Sequence, residues 1–186
     1  MPVTALVEEP TPELEEIYAG ATAHFGHVPE FVKVLGSNPT FCRSLTRFLI
    51  QALGDGRIPW AFKELVILKT LRATGAHYSH GAHERLAAEL GNSAERIGDL
   101  AHSTWRSSGH YSGAEKAVFA LIEQIAEDAN DVGDEIWEPL TTHWDNGQIM
   151  EIVSVIATFI NIGRMGDTLG VSDPVLFTGP LPGHRD

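Results

Sequence analysis

Three histidines fall at even intervals in the stretch TGAHYSHGAHERLAAELG: His77, His80 and His83. Histidine titrates near neutrality, so a spaced group of them suits proton transfer or metal ligation. On a helical wheel at about 100° per residue, measured from Ala76, Ser79 falls at about −60°, His83 at about −20° and His80 at about +40°. These residues share one stripe, and His77 lies at its margin. Ser79 and His83 stand four residues apart, so on a helix their side chains approach on one face.

The preceding segment, IPWAFKELVILKTLRATG, places Glu64 in a stripe with Ala61, Leu68 and Leu71. A carboxylate on an apolar face needs a partner, because burying an unpaired charge is costly. Two neighbouring helices therefore offer Glu64 with His83 and His80 as a general acid–base group. The same residues admit a second chemistry, with Glu64, His80 and His83 as ligands of a divalent metal such as zinc or non-haem iron. A third is a Ser79–His83–Glu64 nucleophilic relay, which would also require a dedicated oxyanion site. The plain alternative leaves the histidines as exposed or backbone-bonded residues and Glu64 as the partner of a lysine or arginine.

The elements that must position these residues read as helices separated by glycine, proline and asparagine. Thr11 is a capping side chain ahead of Pro12, which opens a helix running toward Phe25. VPEFVKVLGSNP, PTFCRSLTRFLIQALGDG and IPWAFKELVILKTLRATG follow as helices two to four. The fifth is expected from about Ala76 to Leu90, stopped by Gly91. SAERIGDLAHST is a short sixth, and SGAEKAVFALIEQIAEDA an amphipathic seventh with Val118, Leu121, Ile122 and Ile125 in one stripe. GDEIWEPLTTHW and DNGQIMEIVSVIATFINIGRMGDTLG complete the set. The last is apolar on most of its circumference, which predicts burial at the centre of the molecule or between copies of a homo-oligomer. HSTWRSSGH, between His102 and His110, reads as a surface loop. The four tryptophans, Trp60, Trp105, Trp137 and Trp144, read as core or interface anchors. No alternating strand pattern is convincing.

Composition narrows the classes. A chain of 186 residues is most simply one domain with a real hydrophobic core. The formal net charge is −12 and the basic residues do not cluster, which argues against a nucleic-acid surface or a polybasic membrane patch. The one cysteine, Cys42, permits no intramolecular disulfide. The start, MPVTALVEEPTPELEE, has neither the basic residues nor the apolar run of a signal peptide. The most apolar window, between Glu151 and Arg164, falls short of the roughly 20 residues that a membrane span needs. A cytoplasmic protein is expected.

KELVILKTLRATGAHYSHGAHERLAAELG resembles the central helical hairpin of the carboxymuconolactone decarboxylase and alkylhydroperoxidase D superfamily. GAEKAVFALIEQIAED and DEIWEPLTTHWDNGQIMEIVSVIATFINIGRMGDTLG resemble its closing helices. The likeness divides the chain into an N-terminal helical extension (1–38), the family-like domain (39–170) and a C-terminal tail (171–186), which reads as extended and partly ordered. It implies an all-α multi-helix bundle of the alkylhydroperoxidase D-like type, assembled as a homo-oligomer, either trimer or hexamer.

In the peroxidase branch that this resembles, a glutamate precedes a Cys-x-x-Cys pair, and a histidine follows four residues later. Glu64 and His83 match the glutamate and the histidine, while Ala76 and Ser79 stand where the thiols would be. Peroxide reduction of that kind needs an attacking thiolate and a resolving thiol, so thiol peroxidase activity is not expected. In the decarboxylase branch, Tyr-Glu-Trp precedes the final histidines; here Tyr78 and His83 match, with Ser79 and His80 in place of the other two. The resemblance then implies His83 as catalytic acid or base with Glu64 as its partner, and Tyr78, Ser79 and His80 as substrate contacts. The expected activity is decarboxylation or isomerisation of a small acid or lactone without a cofactor. The alternatives are the metal site and a non-catalytic oligomer that has lost the thiols.

Overall fold

A computed structural model describes residues 6–100 and 104–171. They form ten helices and no strand: α1 Pro12–Phe25, α2 Glu30–Leu35, α3 Pro39–Ala52, α4 Trp60–Thr74, α5 His80–Glu89, α6 Ala94–Asp99, α7 Thr104–Ser107, α8 Gly113–Asp128, α9 Asp134–His143 and α10 Asn146–Leu169. His102 and residues 172–186 of the expected tail lie outside the described residues.

Local chemistry accounts for most of the boundaries. Pro12 occupies the first helical position of α1, but the Thr11 side chain makes no capping bond, contrary to expectation. Asn38 caps α3 by accepting from the Phe41 backbone N–H at 3.2 Å. Ser112 with Glu115, and Asp145 with Gln148, form reciprocal capping boxes on α8 and α10. Two expectations are corrected. Helix α5 begins at His80, not Ala76, because Ser79 adopts a left-handed backbone (φ 61°) that cannot continue a helix backwards. The segment expected as a surface loop contains the short α7, and its Trp105 is buried, edge-on to Phe119.

The centre of the molecule is α4, which packs against α10, α8 and α5. Every residue from Phe62 to Leu71 is buried. The polar residues on α4 masked this pattern in the sequence, and the structure gives each a partner. Lys63 pairs with Glu151 at 2.5 Å, Lys69 with Glu123 at 2.5 Å, and the Thr70 hydroxyl donates to the Val66 carbonyl at 2.7 Å. Buried polar groups are tolerated when bonded in this way.

Helix α10 has the length and apolarity to cross a membrane, but half of its most apolar stretch is buried against the rest of the fold. It contributes Ile152, Val155, Ile156, Phe159 and Ile162 to the core. The N-terminal helices are built into that same core through Leu14, Phe25 and Phe31. Helices α1 and α2 both pack on α3, which brings Phe25 and Phe31 over the start of α5.

Candidate active site

The connection between α4 and α5 carries Ala76, His77, Tyr78 and Ser79, and α10 holds it in place. The Asp167 carboxylate accepts from the backbone N–H groups of His77 (3.2 Å) and Tyr78 (3.0 Å). Beneath that segment lie two glycines of α10. A Cβ on Gly166 would come within 2.4 Å of the Tyr78 ring, and one on Gly163 within 2.7 Å of the Ala76 Cβ. The absence of side chains there lets the segment sit directly on the helix backbone.

Glu64 and His83 meet inside the protein. Glu64 is fully buried and His83 is 4% exposed. His83 Nδ1 lies 2.6 Å from Glu64 Oε2, while Trp60 Nε1 donates to Glu64 Oε1 at 2.8 Å. An ionised Glu64 accepts at both oxygens, which places the imidazole proton on Nδ1 and leaves Nε2 as the basic nitrogen. The edge-on packing of the His83 ring against Phe159, with centroids 4.9 Å apart, fixes its plane. Trp60 was expected only as a packing anchor. Its i,i+4 spacing to Glu64 on α4 was the signal that could have revealed it as the carboxylate's second partner.

The 95% buried Ser79 precedes α5, and its carbonyl accepts from the His83 backbone N–H at 3.1 Å. Its hydroxyl makes no capping bond and has no hydrogen-bond partner among the described residues. Such a group costs about 1–3 kcal/mol, and a left-handed non-glycine residue roughly 1–2 kcal/mol more.

Tyr78, Ser79 and His83 open onto one narrow pocket. The rest of its wall is apolar, formed largely by Phe25, Phe31, Leu49, Leu53, Phe159 and Ile162. Glu64 stands behind His83 and does not line the pocket.

His80 faces elsewhere. Its Nε2 accepts from Arg72 Nε at 3.1 Å, and its Nδ1 lies 3.6 Å from Glu84 Oε1. Burial lowers its pKa below the ordinary histidine value, with Glu84 pulling the other way. The Glu64–His80–His83 set does not fit a metal ion: its Glu and one His bond each other, and its second His faces a guanidinium. Among the described residues no group of three His, Cys, Asp or Glu side chains is placed to hold one. His77 is exposed. Cys42 is wholly buried, within 3.6 Å of the Val32 carbonyl, and burial raises its thiol pKa.

Residues 39–124 match the carboxymuconolactone decarboxylase family. No curated protein matches the chain in sequence. Solved structures share its fold at low identity. An uncharacterised peroxidase-related protein from Silicibacter sp. TM1040 is 16% identical, with a TM-score of 0.78 over 96% of this chain and 95% of that one. The debrominase Bmp8 is 20% identical, with a TM-score of 0.76 over 92% and 91%. The alkylhydroperoxidase AhpD core protein from Ralstonia eutropha JMP134 is 18% identical, with a TM-score of 0.73 over 97% and 99%.

Proposed function

We propose, from the match of residues 39–124 to the carboxymuconolactone decarboxylase family and the fold shared with an alkylhydroperoxidase D-like structure, that this chain is a small-molecule enzyme working by proton transfer at His83. The observation that carries the reading is the buried Trp60–Glu64–His83 chain ending at an apolar pocket. Glu64 orients the imidazole and stabilises the imidazolium formed when Nε2 takes a proton.

Two reactions of a small acid or lactone fit that arrangement. In an isomerisation, Nε2 takes the proton from a carbon beside a carbonyl, the C–H electron pair enters an enolate, and the proton returns at another carbon. In a decarboxylation, the C–C bond to the carboxylate breaks, carbon dioxide leaves, and the imidazolium protonates the resulting carbanion. Neither step calls on a metal or a thiol. The single cysteine cannot supply a dithiol, and Cys42 is not among the residues lining the pocket at His83. The open pocket supports an enzyme over a non-catalytic family member. His83→Ala should abolish turnover of an identified substrate, and full turnover in that variant would overturn the reading.

The same reading includes a homo-oligomer. An apolar groove between α8, α9 and α10, lined by Ile125, Val132, Trp137, Val153 and Ile160, supports burial against a second copy. Sedimentation should show an assembly larger than a monomer, reduced in size by Trp137→Glu. A monomeric parent protein would count against it.

A further inference from the structure

The pocket wall determines which ligand charge the site can accept. Glu64 is wholly buried and stands 2.6 Å from His83, so the carboxylate already neutralises the imidazolium whenever one forms. With His83 neutral, the pair carries one negative charge. An anionic ligand on His83 would therefore leave at least one negative charge uncompensated against phenylalanine, leucine and isoleucine side chains, which is costly. No lysine or arginine lines the pocket. The cations of α4 are all engaged: Lys63 with Glu151, Lys69 with Glu123, and Arg72 with His80, Glu84 and the Ile97 carbonyl.

Two other polar residues, Tyr78 and Ser79, line the same wall. Ser79 lines the pocket with His83, and its buried hydroxyl has no partner among the described residues. Its left-handed backbone, a conformation that costs a non-glycine residue free energy, places it at that wall.

We infer that the ligand is an uncharged, largely apolar small molecule, whose one hydrogen-bonding oxygen is met by the Ser79 hydroxyl. This rests on the proton-transfer reading for the role of His83. It narrows that reading to neutral lactones, esters and ketones, and so to the isomerisation, because a decarboxylation needs a carboxylate substrate that this pocket wall excludes. Ser79 is then a binding and specificity residue, and the cost of its bare hydroxyl is recovered when the ligand oxygen arrives.

A matched pair of compounds tests the inference. Phthalide is a neutral bicyclic lactone, and 2-(hydroxymethyl)benzoate is its ring-opened anion with the same carbon skeleton. Calorimetric or NMR titration of the full chain should show phthalide binding at least tenfold more tightly, the penalty expected for one uncompensated buried charge. Ser79→Ala and Ser79→Gly should each weaken phthalide roughly fivefold or more, as loss of a hydrogen bond to a buried oxygen predicts. The glycine variant accepts the left-handed backbone and so guards against misfolding. Equal or tighter binding of the hydroxy acid, binding of neither compound, or wild-type phthalide affinity in both Ser79 variants would overturn the inference. The proton-transfer reading fails separately. If His83→Gln kept full turnover of an identified substrate while phthalide kept its preference, the role of His83 would fall and the ligand class would stand.

Discussion

His83 Nδ1 stands 2.6 Å from Glu64 Oε2, on a carboxylate whose other oxygen is held by Trp60 Nε1 at 2.8 Å. The relationship joins residues 19 positions apart through one short contact inside the core. It orients the imidazole from behind, so that any ligand meets only the opposite nitrogen.

¹⁵N NMR of the His83 ring should show the neutral form protonated at Nδ1, with Nε2 bare. Glu64→Gln should lower kcat by roughly 10²–10⁴, since an amide cannot stabilise the imidazolium. Trp60→Phe, which removes a positioning hydrogen bond to the carboxylate, should lower kcat about tenfold, leave KM unchanged and shift the pH–rate profile. An unchanged profile would reduce Trp60 to packing.

His80 supplies a pH dependence of stability. Its folded-state pKa lies below the ordinary value of 6.5, chiefly through burial. The unfolded chain therefore binds the proton more readily in mild acid. The stability contribution is complete above pH 6.5 and is lost as the pH falls toward the folded-state value. Melting temperature should thus decline below pH 6.5, and decline less steeply in His80→Gln, which keeps an acceptor for Arg72. His24, also lowered by burial, contributes in the same direction, so the difference between parent and variant isolates His80. Identical slopes would rule the contribution out.

The pair of buried Lys63 with half-buried Glu151 fastens the loop before α4 to α10, because Glu151 also accepts from the Arg57 backbone N–H at 2.8 Å. Glu151→Ala leaves the Lys63 ammonium, 2% exposed, without its counter-charge. Denaturant unfolding should show a loss of about 3–5 kcal/mol. Adding Lys63→Met should recover much of that loss. Additive losses in the double variant would show that the two residues do not act as a pair.

Gly166→Ala tests the floor of the site. The new Cβ would lie 2.4 Å from the Tyr78 ring, which must move, and the ring is flanked by Phe31. A destabilisation of about 1–3 kcal/mol is expected, as for overpacked cores. The His83 and Ser79 resonances should shift with it. A neutral substitution with unmoved resonances would show that the segment has room to spare.

Much of this arrangement was legible in the chain. The helical class and the order of the elements follow from residue types within a few positions of one another, whereas the caps of α3, α8 and α10 were not among the expectations and the expected Thr11 cap makes no bond. The apolar stripe around Glu64 was enough to predict that its carboxylate needs a buried partner. Two misreadings have local causes. Ser79 interrupts the helix expected from Ala76, and the two lysines of α4 conceal a stretch, 62–71, that is buried without a break.

The sequence by itself determined which side chains were available for chemistry: one carboxylate on an apolar face, spaced histidines beyond it, and alanine and serine where the peroxidase branch it resembles has thiols. Tertiary structure alone decided which of them meet. Asp167, Gly163 and Gly166 seat the α4–α5 connection on α10, Trp60 and Glu64 hold His83, and Arg72 with Glu84 draws His80 away. Helical periodicity is short-ranged and can be read along the chain. The direction in which an imidazole points, and whether a hydroxyl finds a partner, depend on backbones tens of residues away that come together only when the core forms.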